Sequence, residues 1–113
     1  MGQDPEKVKQ LLAERWPLCF GRARSKPLKI DIHLDILAAI EKTGQPAFSA
    51  EELSAALFAY VNDEKYLKVS SRPGARRIDL NGEEAGPVTE DQRFWAWWKL
   101  DDIYKKRKKN EGR

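Results

Sequence analysis

RPGARRIDLNGEEAGPV, residues 72–88, breaks the pattern of the chain before it. Arg72-Pro73-Gly74-Ala75 suits a type II turn, with proline at the second position and glycine at the third. Asn81-Gly82 then separates ARRIDL from EEAGPV, and Asn-Gly between short alternating segments is the strongest local hairpin signal. Outside this stretch the apolar residues recur with a helical period. Asp4 and Pro5 suit a cap and first helical residue, and Val8, Leu11, Leu12 and Trp16 share one face. A second helix carries Ile32, Ile36, Leu37 and Ile40 and stops at Gly44. Ser49 and Glu52 stand at capping-box spacing before Leu53, Leu57, Tyr60 and Val61. Thr89 is placed to cap a last helix. The expected fold class is mostly α (α+β): a compact helical domain with one small β-hairpin inserted before the last helix.

A chain of 113 residues with 41% apolar content makes one domain with a modest core. The expected division is a flexible lead over 1–4, a folded domain over 5–105 and a frayed basic tail over 106–113. The single cysteine, Cys19, excludes an internal disulfide, and between Leu18 and Phe20 it reads as a small buried hydrophobe. No apolar run nears the roughly 18 residues of a membrane span. The start MGQDPEK resembles no leader peptide, so a cytoplasmic protein is expected.

The net charge of +3 is modest, but its distribution is uneven. From Arg15 to Lys29 the chain holds Arg15, Arg22, Arg24, Lys26 and Lys29 and no acid. From Lys65 to Ile78 it holds Lys65, Lys68, Arg72, Arg76 and Arg77, again without an acid. Acidic residues gather elsewhere, and such segregation suits a face that binds a polyanion. If Ile78 and Leu80 point inward, strand alternation turns Arg77 outward, where its planar guanidinium can fork onto phosphate. Tyr66 beside Lys65 admits two placements, a ring that stacks a base next to a cation or a core tyrosine.

Nothing in the spacing specifies an enzyme, a metal or a cofactor. One histidine and one cysteine cannot build an ordinary zinc site, and no glycine-rich phosphate loop is present. The segment RFWAWWKLDDIY, Arg93–Tyr104, carries more large aromatics than one packed face requires. The surplus leaves three readings open: a protein partner at Trp95 and Trp98, self-association, or stacking of RNA bases.

Four segments together, LLAERWPLCF (Leu11–Phe20), KPLKIDIHLDIL (Lys26–Leu37), FSAEELSAALFAYVNDEKYL (Phe48–Leu67) and RPGARRIDLNG (Arg72–Gly82), resemble the ProQ/FinO domain of bacterial RNA chaperones. The resemblance spans nearly the whole chain. It implies a non-enzymatic RNA-binding chaperone that takes structured RNA on a concave basic face. It further implies hairpins with single-stranded 3′ tails, such as intrinsic terminators of small regulatory RNAs and messenger 3′ ends, bound in post-transcriptional regulation. By position it assigns Lys29, the Lys65–Tyr66 pair, Arg77 and the Ser49 cap to RNA contact. Arg24, Lys26, Lys68, Arg72 and Arg76 are further candidates from the charge pattern. The chain departs from the family at Ser54 and Phe58, where arginines are expected on the exposed side of the third helix. Other readings of the same residues are a protein-interaction module built on the last helix and a duplex binder indifferent to RNA or DNA.

Overall fold

In the computed structural model, which describes residues 3–21, 25–44 and 47–111, five helices enclose a two-stranded antiparallel sheet. The order is α1 (Pro5–Arg15), α2 (Ile32–Thr43), α3 (Ala50–Val61), α4 (Glu64–Ser70), β1 (Arg76–Ile78), β2 (Glu84–Pro87) and α5 (Glu90–Glu111). Among these residues no helix is long and apolar enough to cross a membrane.

Local chemistry sets each boundary. Asp4 Oδ1 accepts from Glu6 N–H at 2.9 Å, and Pro5 occupies the first turn of α1, where no amide donor is missed. Ser49 and Glu52 form a reciprocal capping box at α3. Gln3, expected in a flexible lead, is tied by its backbone N–H to the same Glu52 carboxylate. Thr89 and Gln92 repeat the box at α5. Gly44 ends α2 in the left-handed conformation (φ 68°).

The core is built from the stripes read in the sequence. Val8 and Leu12 of α1, Ile32, Ile36 and Ile40 of α2, and Leu53 and Ala56 of α3 are buried with Cys19, Phe20, Leu28, Tyr66 and Ile78. Leu11, Trp16, Leu37, Leu57, Tyr60 and Val61 pack around them as partly buried neighbours. A second, smaller cluster joins Leu67 of α4 to Ala96, Leu100 and Ile103 of α5.

Three elements add to this plan. Glu64–Ser70 is a short helix, capped by Asp63, in a stretch to which the sequence pattern assigned no element. The second helix begins only at Ile32, because Pro27–Lys29 runs along β1: Ile78 N–H donates to Pro27 O at 2.9 Å and Lys29 N–H to Ile78 O at 2.8 Å. α5 continues through the basic segment to Glu111, and Arg107 pairs with Glu64 at 3.1 Å. Ion pairs spaced four residues apart, Lys105–Asp101 and Lys106–Asp102, support that extension.

Gly82 closes the hairpin at φ 79°, and a Cβ there would stand 3.0 Å from both Leu18 Cβ and Leu18 O. Backbone conformation and close approach both demand glycine. Gly82→Ala should cost about 2 kcal/mol from the left-handed geometry alone. That lowers the midpoint of thermal unfolding, followed by circular dichroism, by roughly 8–16 °C for a domain this size.

Candidate nucleic-acid interface

Leu28 sits where three elements meet. Its N–H donates to the Tyr66 hydroxyl at 2.9 Å, and its carbonyl accepts from Arg77 Nη1 at 2.7 Å. Arg77 Nη2 reaches on to Gln92 Oε1 at 2.8 Å, so α4, β1 and α5 all close on the 27–29 segment. Tyr66 is only 7% exposed, with its ring edge-on to Tyr60 (centroids 5.6 Å apart), which in turn packs edge-on to Phe20. Burial pushes the Tyr66 phenol above its ordinary pKa, an effect that the Leu28 N–H and the Arg77 charge partly offset.

Of the two placements open to Tyr66 the structure takes the second, and the outward placement of Arg77 is corrected. Tyr66 is a core tyrosine, buried and packed edge-on against Tyr60, so its ring offers no open stacking platform. Arg77 does not stand bare on the outer face of the hairpin. It is half-buried, because α5 packs across that face and supplies Gln92 as a partner.

Tyr66 and Arg77 nonetheless form a wall between two clefts. The first, of about 300 Å³, lies between α4 and α5 and is lined by Leu67, Ser70, Val88, Asp91, Trp95 and Ala96 with them. Ser70 Oγ lies beside the Tyr66 hydroxyl, whose oxygen already takes the Leu28 N–H, and makes no well-formed hydrogen bond. Arg77 Nε is likewise buried without a partner. Ser70 and Arg77 both act on the Tyr66 hydroxyl and lower its pKa, so the three side chains form one polar cluster at the floor of the open cleft. The Trp95 ring, about half exposed, forms the rim, with Lys99 Nζ 5.8 Å from its centroid. Ser70, which carries no charge, escaped sequence reasoning, and Trp95, read there only as part of the aromatic surplus, enters the cleft through the docking of α5 on α4.

The second cleft, about 350 Å³, lies between the start of α2 and α3 and is lined by Lys29, His33, Ser54 and Phe58 as well as Tyr66 and Arg77. Lys29 Nζ is bound to Asp35 Oδ2 at 2.8 Å, a bond that raises the lysine's pKa, while Asp31 sits on the same wall. A third cleft of about 390 Å³ gathers Lys26, Arg72 and Arg76 with Ser25 and Pro73. Arg76 and Arg77, adjacent on β1, project to opposite sides, and Arg76 is paired with Glu84.

The candidate cations therefore do not form one patch. Lys29 and Arg77 serve the α2–α3 side, and Lys26, Arg72 and Arg76 serve the turn. Lys65 and Lys68 are exposed on α4, with Lys68 3.7 Å from Glu64. Ser49 is held in its cap by Glu52 N–H at 3.1 Å. Arg24 lies outside the described residues. Among the described residues Lys26, Lys65 and Arg72 make no ion pair, and no three His, Cys, Asp or Glu side chains gather to hold a metal ion.

The sequence profile described as the ProQ/FINO family matches residues 3–113. The RNA chaperone ProQ of Histophilus somni (strain 2336) is 40% identical over 81 residues, covering 71% of this chain and 37% of that protein. The chain thus spans little more than a third of the length of that curated relative. The solution structure of a ProQ homolog from Legionella pneumophila superposes with a TM-score of 0.73 at 31% identity, over 92% of this chain and 86% of that one. A FinO-like RNA chaperone from Neisseria meningitidis MC58 shares the fold, with a TM-score of 0.67 at 23% identity over 88% and 82% of the two chains.

Two predictions follow from these contacts. Tyr66→Phe keeps the ring but leaves the Leu28 N–H buried and unpaired, at a cost of about 1–3 kcal/mol in urea unfolding. The Glu52 carboxylate is held below its ordinary pKa, chiefly by the Gln3 N–H and then by the Ser49 N–H. Its contribution is complete above the unfolded-state pKa of about 4.3 and is lost as pH falls through the folded value. Glu52→Gln should therefore unfold with a shallower dependence on pH below about 4.3 than the parent, by acid titration of circular dichroism.

Proposed function

The chain belongs to the ProQ/FINO family, and from that membership we infer that it is an RNA chaperone domain that grips structured RNA at a single-stranded 3′ end. The observation that carries this reading is the floor of the α4–α5 cleft, where Arg77 Nε and Ser70 Oγ are buried without well-formed partners beside the Tyr66 hydroxyl. A terminal nucleotide brings the complementary groups. Its phosphate oxygens accept from the Arg77 guanidinium, and its ribose hydroxyls donate to and accept from Ser70. A-form stems hide their base edges in a deep, narrow groove, so a domain this small reads backbone, 2′-hydroxyls and an accessible end. Hairpins followed by an unpaired 3′ tail, as at intrinsic terminators of small RNAs and messengers, present both. The bound RNAs would be held against degradation or remodelled for pairing in the cytoplasm, with no catalytic step and no cofactor.

The stem contact would be lighter here than the family pattern implies. Ser54 and Phe58 stand on the exposed side of α3, and Glu51 and Glu52 occupy its first turn beside the Ser49 cap. Long-range attraction then falls to Lys26, Lys65 and Arg72 with a share from Lys29. About four phosphate contacts predict roughly hundredfold weaker binding between 50 and 200 mM salt.

Ser70→Ala separates function from folding. Removing a buried hydroxyl that lacks a well-formed partner leaves stability unchanged or slightly raised. Affinity for a terminator hairpin in gel shift should nevertheless drop several-fold, and blocking the RNA's 3′ hydroxyl should have a similar effect. Arg77→Ala should weaken the same RNA further. Parental affinity in Ser70→Ala together with indifference to the blocked end would remove the 3′-end reading.

A further inference from the structure

We propose that Phe94, Trp97 and Arg93 form a second RNA site, distinct from the 3′-end cleft, that stacks unpaired bases of the strand on the opposite flank of α5. The idea rests on the RNA-binding reading above and extends it to the flank of α5 that faces away from the 3′-end cleft. Ala96, Leu100 and Ile103 turn α5 toward α4. Trp95 and Gln92 fall on the flank that lines the 3′-end cleft, and Arg93 and Trp97 fall on the other. There Phe94 and Trp97 are 68% and 51% exposed, their rings 5.9 Å apart at 33°. With Arg93 and Ser71 they line a cleft of about 260 Å³.

The polar groups of this cleft suit a nucleotide. Arg93 Nη2 is held by Glu90 Oε2 at 2.8 Å, which fixes the guanidinium, while its Nε–H is buried without a partner. The guanidinium edge that lines the cleft beside the two exposed rings can meet a base carbonyl or a phosphate while the rings cover the base. The surroundings favour a polyanion. Ser71 at the edge of the cleft leads directly into Arg72, which lines the turn cleft with Lys26, and neither cation has an ion-pair partner among the described residues. A strand crossing from the turn to α5 would lay phosphates on Lys26 and Arg72 and bases on Phe94 and Trp97.

Area argues against a protein partner. Aromatic side chains carry about 150–250 Å² each. Phe94, Trp95, Trp97 and Trp98 are roughly half exposed, so together they offer about 300–550 Å² on two flanks. A stable protein interface takes about 800 Å² from each partner. Two rings and a narrow cleft match one or two bases instead.

The test uses the full chain and three RNAs: a hairpin with a short 3′ tail, the same hairpin with a long unpaired uridine tail, and a free oligouridine with a blocked 3′ end. The double variant F94L/W97L keeps apolar bulk and removes stacking, and exposure of both residues leaves the fold intact. It should lose about fivefold or more in affinity for the long-tailed hairpin and for the blocked oligouridine, and bind the short-tailed hairpin as the parent does. Trp97→Phe should retain most of the affinity that Trp97→Leu loses. Unchanged binding of the long tail, or an equal loss on both hairpins, would overturn the site. So would a parental dimer in sedimentation that the double variant dissolves, because the face would then be a self-association surface. Should the parent ignore hairpins while the double variant still loses the blocked oligouridine, the stacking site stands and the 3′-end reading falls.

Discussion

The backbone of Leu28 is the point on which the domain closes. This residue precedes α2 and belongs to no regular element, so its N–H and C=O have no helix ladder to satisfy them, and it is buried. Leaving either group unpaired there would cost on the order of 1–3 kcal/mol. The Tyr66 hydroxyl takes the N–H and Arg77 takes the carbonyl, while the residues on either side, Pro27 and Lys29, bond the two backbone groups of Ile78. A tyrosine from α4 and an arginine from β1 are thus committed to one peptide segment. That commitment brings the two clefts to either side of their shared wall.

It also explains why these two residues were only half legible. The motif positions were plain in the sequence, and so was their association with RNA in the family. Their orientation was not. Alternation along β1 places Arg77 opposite Ile78, as expected, but whether that side is solvent depends on α5 returning to cover it, a contact some fifteen residues away in sequence. Tyr66 stands in a seven-residue helix too short to display a periodic stripe, so its burial could not be read from spacing. By contrast, α1, α2, α3 and the hairpin were legible because caps, apolar periodicity and turn residues all agreed locally.

Charge shows the same limit from another side. Acid-free tracts looked like uncompensated positive surface, yet the compensating carboxylates come from outside the tracts. Asp35 answers Lys29, Glu84 answers Arg76, and Glu64 answers Lys68 and Arg107. Exposed pairs of this kind add little stability, typically under about 1 kcal/mol. They do reduce the potential felt by an approaching polyanion, which leaves Lys26, Lys65 and Arg72 as the candidate cations without an ion pair among the described residues. In the reading proposed above, recognition then leans on short-range contacts with the strand end.

Short-range recognition of a flexible strand needs rigid presentation, and α5 supplies it. One flank of this helix provides Gln92, which fixes Arg77 while its backbone is itself fixed by the Thr89 cap, and Trp95 at the rim of the 3′-end cleft. The other flank provides Phe94 and Trp97. The helix between them is anchored to α4 by Leu67, Ala96 and Leu100, so the separation of the two flanks is set by helix diameter, about 10–12 Å with side chains. An unpaired strand of a few nucleotides can span that distance, whereas a base-paired stem is too stiff to follow the helix around. Under the two sites proposed above, the aromatic surplus of α5, excessive for a packed face, becomes the means of holding the single-stranded part of an RNA.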